Sequence, residues 1–296
     1  MTEEKGKQRL MAWVEAARPK TLPASISPVL IGCALAYREG VFQWIPAVLC
    51  LLVALLAQIA SNFANDYFDY KKGADRADRL GPERAVASGW ISPRAMWKGT
   101  LITLGIACLC GLGLLFYGGW ELIFVGIGIA FCVLAYSAGP YPLAYHGWGD
   151  FCVLLFYGVI PVCFTYYVQA LSFSWLSLWL SLSIGFLSIN ILVVNNYRDY
   201  EQDMLSGKRT TIVLFGRRFG QVFYLLNGVL AILFALPVLL YKGWNFWFLY
   251  AFFFVLFVFT WQDLWRVQGK ELNRTLGQTA RNVFLFALLL SITLLR

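Results

Sequence analysis

Long apolar segments separated by short polar stretches dominate this sequence. The whole interval 151–197 contains no Asp, Glu, Lys or Arg. Because about 20 apolar residues cross the hydrocarbon core of a bilayer as a helix, this interval alone accommodates two crossings. The full pattern predicts nine spans, at residues 22–38, 43–64, 97–117, 120–138, 150–170, 174–196, 220–241, 244–262 and 278–295. We therefore predict an all-α polytopic membrane protein whose helices form one bundle.

Composition supports this class. Hydrophobic residues make up 59% of the 296 residues and charged residues only 14%, against about 25% charged residues in ordinary soluble domains. We expect a single integral-membrane domain over residues 1–296.

Basic residues predict the orientation in the membrane. With the N-terminus in the cytoplasm, all but three of the 24 Lys and Arg residues fall on the cytoplasmic side; the exceptions are Arg38, Lys242 and Arg296. This is the bias expected for cytoplasmic loops. It accounts for most of the net charge of +8 without a nucleic-acid partner. Residues 1–20 are expected at the cytoplasmic interface of the membrane.

A polar hexapeptide occurs twice in this apolar chain. NDYFDY at residues 65–70 returns as NNYRDY at residues 195–200, and each copy ends a predicted span on the cytoplasmic side. Four spans separate the copies. This offset predicts two parallel four-helix halves, residues 22–138 and 150–262, followed by a ninth helix at 278–295.

Both copies combine carboxylates with amides, the oxygen ligands that Mg²⁺ prefers. Because residues i, i+3 and i+4 share a helix face, Asn65 and Asp69 are expected to stack with Asp66 beside them. Asn195, Asp199 and Asp203 are expected to form one helical stripe. Ionisable residues at membrane depth are costly and usually functional. The predicted metal ligands are Asn65, Asp66, Asp69, Asp75, Asn195, Asp199 and Asp203.

Basic residues follow each acidic cluster, which a site for a free metal ion would not need. Mg²⁺ commonly joins carboxylates to a substrate phosphate. A diphosphate at the membrane surface with its organic part in the bilayer is an isoprenoid diphosphate. The residues predicted to hold it are Lys72, Arg84, Arg198, Lys208 and Arg209.

The motifs NDYFDYKKGAD and NNYRDYEQDMLSGKRT resemble the two aspartate-rich motifs of the UbiA superfamily of intramembrane prenyltransferases. The second follows the pattern NxxxDxxxD. The first has Gly73 where many members carry the next aspartate, and Asp75 is the nearest substitute. ARPKTLPASISPVLIG, YSAGPYPLAYHGWGD and LNRTLGQTAR further resemble the dihydroxynaphthoate prenyltransferases of menaquinone biosynthesis.

This resemblance implies a nine-helix bundle, Mg²⁺ dependence and a cytoplasm-facing cap over a central cavity. It also implies a reaction in which a polyprenyl diphosphate alkylates 1,4-dihydroxy-2-naphthoate. The prenyl group replaces the carboxylate, and the products are demethylmenaquinone, CO₂ and diphosphate.

The acceptor side of the site is less defined by the sequence. Tyr141, Tyr145 and His146 end the fourth span, where many superfamily members place Tyr and basic residues near the diphosphate. His146 is the only histidine, and a lone histidine is more often a structural hydrogen-bonding residue than a direct participant. Arg18 and Lys20 precede the first span, where they either pair with the acceptor carboxylate or anchor the helix at the interface.

Two alternatives to this function remain open from the sequence. The same chemistry on another acceptor, such as 4-hydroxybenzoate, homogentisate or a tetrapyrrole, would leave the same motifs. A secondary transporter also uses paired polar sites between repeats, but places them near the midplane at interrupted helices. An assembly or binding protein would not need two carboxylate clusters matched by cations.

Overall fold

The computed structural model describes residues 2–73, 79–241 and 247–296, and within them the chain is almost entirely helical, without a strand. A π-helical turn, Leu155–Val159, joins α6 to α7. The α-helices in chain order are α1 Thr2–Ala17, α2 Pro23–Arg38, α3 Trp44–Lys71, α4 Pro93–Gly118, α5 Leu122–Ala135, α6 Gly149–Leu154, α7 Ile160–Ala170, α8 Trp175–Arg198, α9 Tyr200–Leu205, α10 Thr211–Tyr241, α11 Trp247–Arg266 and α12 Leu272–Leu295.

Eight of the nine predicted spans each overlap one of these helices, and the fifth, residues 150–170, covers α6, the π-helical turn and α7. Residues 244–246 of the eighth span lie outside the described residues. In the described part of the chain, seven helical stretches are long and apolar enough to cross a membrane, namely α3, α4, α6 with α7, α8, α10, α11 and α12. Helices α2 and α5 have 16 and 14 residues, fewer than the roughly 20 of a full crossing. The predicted all-α membrane protein is confirmed. The count of nine crossings, the two parallel halves and the cytoplasmic cap stay predictions.

The outer surface of the bundle is apolar. Phe116 is 91% exposed, and Phe124, Phe252 and Phe259 also point outward. Helices can present such a surface to lipid because their backbone hydrogen bonds are satisfied internally. Helix α8, which carries the second motif, is the most buried of the spanning stretches, so the packing around α8 determines where that motif lies.

Small residues bring α8 close to the segment before it. A Cβ added to Gly158, in the π-helical turn, would lie 2.7 Å from Gly185 Cα and 2.6 Å from the Ser181 carbonyl oxygen. Only glycine allows two backbones to meet in this way, and small residues are a common device at helix contacts in membranes.

Buried polar side chains tie α8 to α10 and α12. Asn190 Nδ2 donates to the Tyr224 carbonyl (3.0 Å) and Asn227 Nδ2 donates to Asn190 Oδ1 (3.1 Å). The Tyr224 hydroxyl lies 3.1 Å from Thr279 Oγ1. Lipid offers such groups no partner, so these bonds favour a single register between the helices.

The helix of the second motif is interrupted, which corrects the expectation of one continuous stripe. Helix α8 ends at Arg198, Asp199 has φ −90° and ψ 11°, and α9 begins at Tyr200. The backbone bonds Asp199 N to Asn195 O (3.1 Å) and Asp203 N to Asp199 O (2.8 Å) nevertheless persist. The three motif residues therefore stay on one side, although they belong to two helices.

Candidate active site between the two motifs

The first motif lies at the C-terminal end of α3, where Asn65 and Asp69 hold a single guanidinium. Arg84 Nη2 donates to Asn65 Oδ1 (2.9 Å) and to Asp69 Oδ2 (3.1 Å). Asp69 is 2% exposed and Arg84 6% exposed. The predicted stacking of Asn65 and Asp69 thus results in oxygens that converge on one cationic nitrogen.

Asp66 has different hydrogen-bond partners from Asn65 and Asp69. Its carboxylate accepts hydrogen bonds from the backbone N–H groups of Ala85 (3.0 Å) and Val86 (3.2 Å). Ala85 and Val86 are themselves buried against Phe63. Asp66 therefore anchors the loop that carries Arg84. Its role as a metal ligand stays a prediction, and ligation would compete with these two bonds.

The second motif repeats the arrangement with Arg198. Arg198 Nη2 donates to Asn195 Oδ1 (2.8 Å) and Asp199 Oδ2 (2.7 Å), and Nε donates to Asp199 Oδ1 (2.8 Å). Its Nη1 donates to Asn273 Oδ1 (2.8 Å), and the side chain is 1% exposed. In each motif, one guanidinium nitrogen lies between an amide and the carboxylate four residues later.

Asn273, at the start of α12, connects the two motif regions. It accepts from Arg198 and its Nδ2 donates to the Leu80 carbonyl (2.9 Å), in the loop after the first motif. The stretch LNRTLGQTAR contributes to the family resemblance, but the sequence predicts no role for Asn273 within it. No local pattern indicates a contact across 193 positions of the chain.

Lys208 stands between the carboxylates of both motifs. Its Nζ lies 3.8 Å from Asp69 Oδ2 and 3.7 Å from Asp203 Oδ1. The Tyr145 hydroxyl donates to Asp69 Oδ1 (3.1 Å). Lys72 and Lys208 lie over the Tyr145 ring, with Nζ 4.4 and 4.9 Å from its centroid. The two motifs, 130 residues apart, therefore form one site.

Burial disfavours the charged forms of two groups at this site. It raises the pKa of Asp203 to about 6; Lys208 opposes the shift, while Asp199 and Asp69 add to it. Burial also lowers the pKa of Lys72, an effect that Asp69 opposes and Lys208 enhances. The largest cause in both cases is the loss of hydration on burial, and the neighbouring charges modify it.

The oxygens of the two motifs suit a hard divalent cation. Among the described residues, no group of three or more His, Cys, Asp or Glu side chains converges as a metal site, and Arg84, Arg198 and Lys208 pair with the carboxylates. Each Asn–Asp pair nonetheless already converges on one cationic point through an amide and a carboxylate oxygen. All-oxygen donors of this kind are those of Mg²⁺. The residues present fit the ion.

A cavity of about 80 Å³ separates the motifs. Of the residues predicted to bind metal or diphosphate, seven line it: Asn65, Asp69, Arg84, Asn195, Asp199, Asp203 and Lys208. Asp75 lies outside the described residues. Arg209 is exposed, and its backbone N–H donates to the Tyr145 carbonyl (2.9 Å).

The residues predicted for the acceptor side divide into two groups. Arg18 lines the cavity and has a left-handed backbone, with φ 54°. Lys20 and Tyr141 are exposed. The His146 ring stacks on Tyr141 with centroids 3.6 Å apart, and Nδ1 is 2.9 Å from the Pro142 carbonyl. Neither Lys20, Tyr141 nor His146 is part of the cavity lining, and their roles stay predictions.

Sequence reasoning missed several residues of the cavity wall. Tyr136, Asp150, Asn196 and Thr211 all line it. A signal was available for Asp150, since it is the only charged residue between Glu121 and Arg198 and a carboxylate at the edge of a span is seldom incidental. Tyr136, Asn196 and Thr211 have no comparable signal in the sequence.

The apolar helical bundle carries two acidic motifs lined by cations at one end. Such a site suits an anionic, membrane-dissolved substrate, and it defines the class of the protein as an integral membrane enzyme. The chain matches the UbiA prenyltransferase family over residues 25–290 and belongs to that family. It is a prenyltransferase embedded in the membrane.

Relatives and solved structures agree with this assignment. The chain is 38% identical to the 1,4-dihydroxy-2-naphthoate octaprenyltransferase of Haemophilus influenzae over 226 residues, which is 73% of each protein. It is 37% identical to the enzyme of that name from Mycobacterium tuberculosis, over 74% of each. A UbiA homolog from Archaeoglobus fulgidus, solved with GPP and Mg²⁺, shares the fold with a TM-score of 0.69 at 16% identity, covering 96% of this chain and 99% of that one.

Proposed function

We propose that this enzyme transfers a polyprenyl group from a polyprenyl diphosphate to 1,4-dihydroxy-2-naphthoate. Diphosphate and the acceptor carboxylate, as CO₂, leave, and the product is demethylmenaquinone in its reduced, quinol form. The observation that carries the prenyl-transfer chemistry is the convergence of Asp69 and Asp203 on Lys208. The names of the relatives support the choice of acceptor.

The proposed cofactor is Mg²⁺, held by Asn65 and Asp69 from the first motif and by Asn195, Asp199 and Asp203 from the second. Asp66 and Asp75 remain predicted ligands in addition. When bound, the ion neutralises negative charge that develops on the departing diphosphate.

The basic residues of the site then serve the diphosphate. Arg84 and Lys208 are paired with carboxylates, and a carboxylate that ligates a metal ion shares less charge with them. Their N–H groups would then hydrogen-bond the diphosphate oxygens and stabilise the leaving group. Lys72, whose Nζ donates to the Ser137 carbonyl (2.8 Å), and Arg209 would add charge at the entrance. Arg198 would join them only if its four bonds opened.

The allylic carbon needs a dry, electron-rich surrounding once diphosphate departs. The Tyr145 ring already accommodates two ammonium groups at 4.4 and 4.9 Å. Such a ring face can stabilise developing positive charge on the prenyl group. The proposed location is a bacterial inner membrane, with the motifs and the N-terminus on the cytoplasmic side.

The decisive experiment uses purified protein in detergent with a polyprenyl diphosphate and carboxyl-labelled dihydroxynaphthoate. We expect Mg²⁺-dependent release of labelled CO₂ together with prenylated quinol. An intact, folded protein that releases neither would contradict the proposed acceptor. In that case 4-hydroxybenzoate and homogentisate are tested next with the same donor, and transport of the diphosphate after them.

Magnesium binding is expected to depend on pH through Asp203. The folded-state pKa of Asp203 is about 6, above the ordinary value near 3.9. Protonation of Asp203 therefore stabilises the folded, metal-free protein, and this stabilisation is lost as pH rises through 6. Mg²⁺ must displace that proton. The rise in Tm caused by Mg²⁺ should therefore be larger at pH 7.5 than at pH 5.5.

The pH comparison has two matched controls measured by the same thermal scans. Asp203→Asn should remove the difference between the two pH values. Glu201→Gln, which alters an exposed carboxylate two residues away that pairs with Arg217, should retain it. Equal Mg²⁺ effects at both pH values in the unaltered protein would exclude Asp203 as a ligand.

A further inference from the structure

The cavity lining includes a half-buried carboxylate, that of Asp150, which the metal and diphosphate chemistry does not use. Asp150 begins α6 and lines the cavity together with Thr211, the first residue of α10. The Thr211 hydroxyl lies near the Asp150 carboxyl. Within the described part of the chain, however, neither Asp150 Oδ1 nor Thr211 Oγ1 has a hydrogen-bond partner. Buried polar atoms without a partner are rare in folded proteins and require an explanation.

The surroundings of Asp150 and Thr211 combine polar and apolar groups. Leu192, Asn196 and Tyr136 line the same cavity, and the Tyr136 hydroxyl lies 3.5 Å from the position of a Cβ on Gly149. The Tyr136 phenol can donate a hydrogen bond to a ligand in the cavity. The lining here sets Leu192 and the Tyr136 ring beside the polar groups of Asp150, Asn196 and Thr211, a combination that suits a flat ring with polar substituents at its edge.

Charge determines how an aromatic acid would lie here. The acceptor carboxylate is repelled by Asp150 and attracted to the cations that line the cavity, among them Arg18. A ring hydroxyl, by contrast, can donate to the Asp150 carboxylate and accept from or donate to the Thr211 hydroxyl. The two ends of a hydroxylated aromatic acid therefore favour different residues of the cavity lining.

The geometry points to Asp150 and Thr211 as the subsite that receives a ring hydroxyl of the aromatic acceptor. This inference rests on the proposed function and adds to it the residues that select a hydroxylated ring. It also gives Asp150 a part in the reaction. A hydroxyl that donates to a carboxylate makes the ring carbons more electron-rich, which favours attack on the allylic carbon.

The chemical step balances with the hydroxyl proton retained on its oxygen. A bond forms between the ring carbon that bears the carboxylate and the allylic carbon, while the bond from that allylic carbon to the diphosphate oxygen breaks. The bond from the ring carbon to the carboxylate then breaks, CO₂ leaves, and its electron pair restores the aromatic ring. Asp150 only holds and polarises the hydroxyl.

The test measures equilibrium binding without a prenyl donor, so that it does not depend on turnover. The ligands are 1,4-dihydroxy-2-naphthoate, its two monohydroxy analogues and 2-naphthoate, which has no hydroxyl. Asp150→Asn should raise the Kd of the dihydroxy acid about tenfold or more, the loss expected for one hydrogen bond to a charged group. It should not raise the Kd of 2-naphthoate, which loses only the repulsion between its carboxylate and Asp150. One of the two monohydroxy analogues lacks the hydroxyl that contacts Asp150, so its Kd should not respond to the substitution. The hydroxyl absent from that insensitive analogue is therefore the one that Asp150 binds.

Two further variants keep the inference falsifiable if Asp150→Asn fails to fold. Thr211→Val removes the second hydroxyl of the subsite and should weaken the dihydroxy acid several-fold, again without an effect on 2-naphthoate. Thr100→Val is the matched control, since Thr100 is buried in α4 and its hydroxyl donates to the Met96 carbonyl (3.0 Å), away from the cavity. It should change no Kd. Geranyl diphosphate binding should be unchanged in all three.

The outcomes separate this inference from the proposed function. Equal losses for 2-naphthoate and the dihydroxy acid, or no loss in Asp150→Asn and Thr211→Val, would overturn the subsite whether or not the enzyme is active. If the unaltered protein neither binds nor prenylates the naphthoates, the proposed acceptor is wrong. The same comparison is then made with 4-hydroxybenzoate and benzoate. A Kd that rises in Asp150→Asn for 4-hydroxybenzoate but not for benzoate supports the subsite, and equal effects on both overturn it.

Discussion

Replacing Asp69 with asparagine is expected to reduce turnover by about 1,000-fold or more while the protein remains folded. Among the carboxylates of the described residues, Asp69 alone contacts Arg84, Tyr145 and Lys208 together. Asparagine keeps the shape but removes the charge. A metal ion contributes several kcal/mol of charge stabilisation in the transition state, and each 1.36 kcal/mol changes the rate tenfold. Mg²⁺-dependent diphosphate release by the purified variant measures the effect.

The control for this loss is another carboxylate close to the site. Glu201 lies in α9, is exposed and pairs with Arg217 at 2.6 Å. Glu201→Gln should retain nearly full activity. Should Asp69→Asn release diphosphate at a near-normal rate in saturating Mg²⁺, then Asp69 is not a ligand, and the convergence of the two motifs on Lys208 has another purpose.

Arg198→Met is expected to lower the stability of the protein by about 3–5 kcal/mol, the cost of breaking a buried ion pair on one side. The 1%-exposed guanidinium donates to Asp199, Asn195 and Asn273, so its loss leaves a buried carboxylate without its partner. A loss of this size corresponds to a fall of roughly 10 °C in Tm. Thermal unfolding in detergent, without Mg²⁺, measures it.

Two comparisons separate the geometry of Arg198 from its charge. Arg198→Lys keeps the charge but cannot reach three partners with a planar fork, so we expect most of the loss to remain. Arg217→Met removes an exposed pair with Glu201, and exposed pairs contribute at most about 1 kcal/mol. A Tm for Arg198→Met equal to that of Arg217→Met would contradict the buried network.

The position of the helices follows closely from the sequence. Hydropathy is a property of neighbouring residues, and a helix satisfies its own backbone hydrogen bonds, so an apolar stretch such as 174–196 identifies α8 without any knowledge of its contacts. The turns at the ends of the motif-bearing helices could not be predicted as well from the sequence. The change at Asp199, for example, depends on a single pair of backbone dihedral angles rather than on composition.

The candidate site was predictable at the level of residue type and spacing. The four-residue separation of Asn65 from Asp69, and of Asn195 from Asp199, places their oxygens on one helix face, and in both pairs the oxygens do converge. The same rule was insufficient for Asp66, because its partners are backbone N–H groups of a loop. Backbone donors carry no sequence signature.

Local pattern thus determines which stretches enter the membrane, where the acidic clusters lie along the chain and that cations accompany them. The packed bundle determines which cation meets which carboxylate. Arg84 pairs within the first motif region and Arg198 within the second, while Lys208 bridges both, although all three are basic residues near an acidic cluster. The partner of Asn273 and the exposure of Asp150 to the cavity depend on the same packing. These are contacts between residues far apart in the chain, and their geometry exists only when the helices that carry them have packed together.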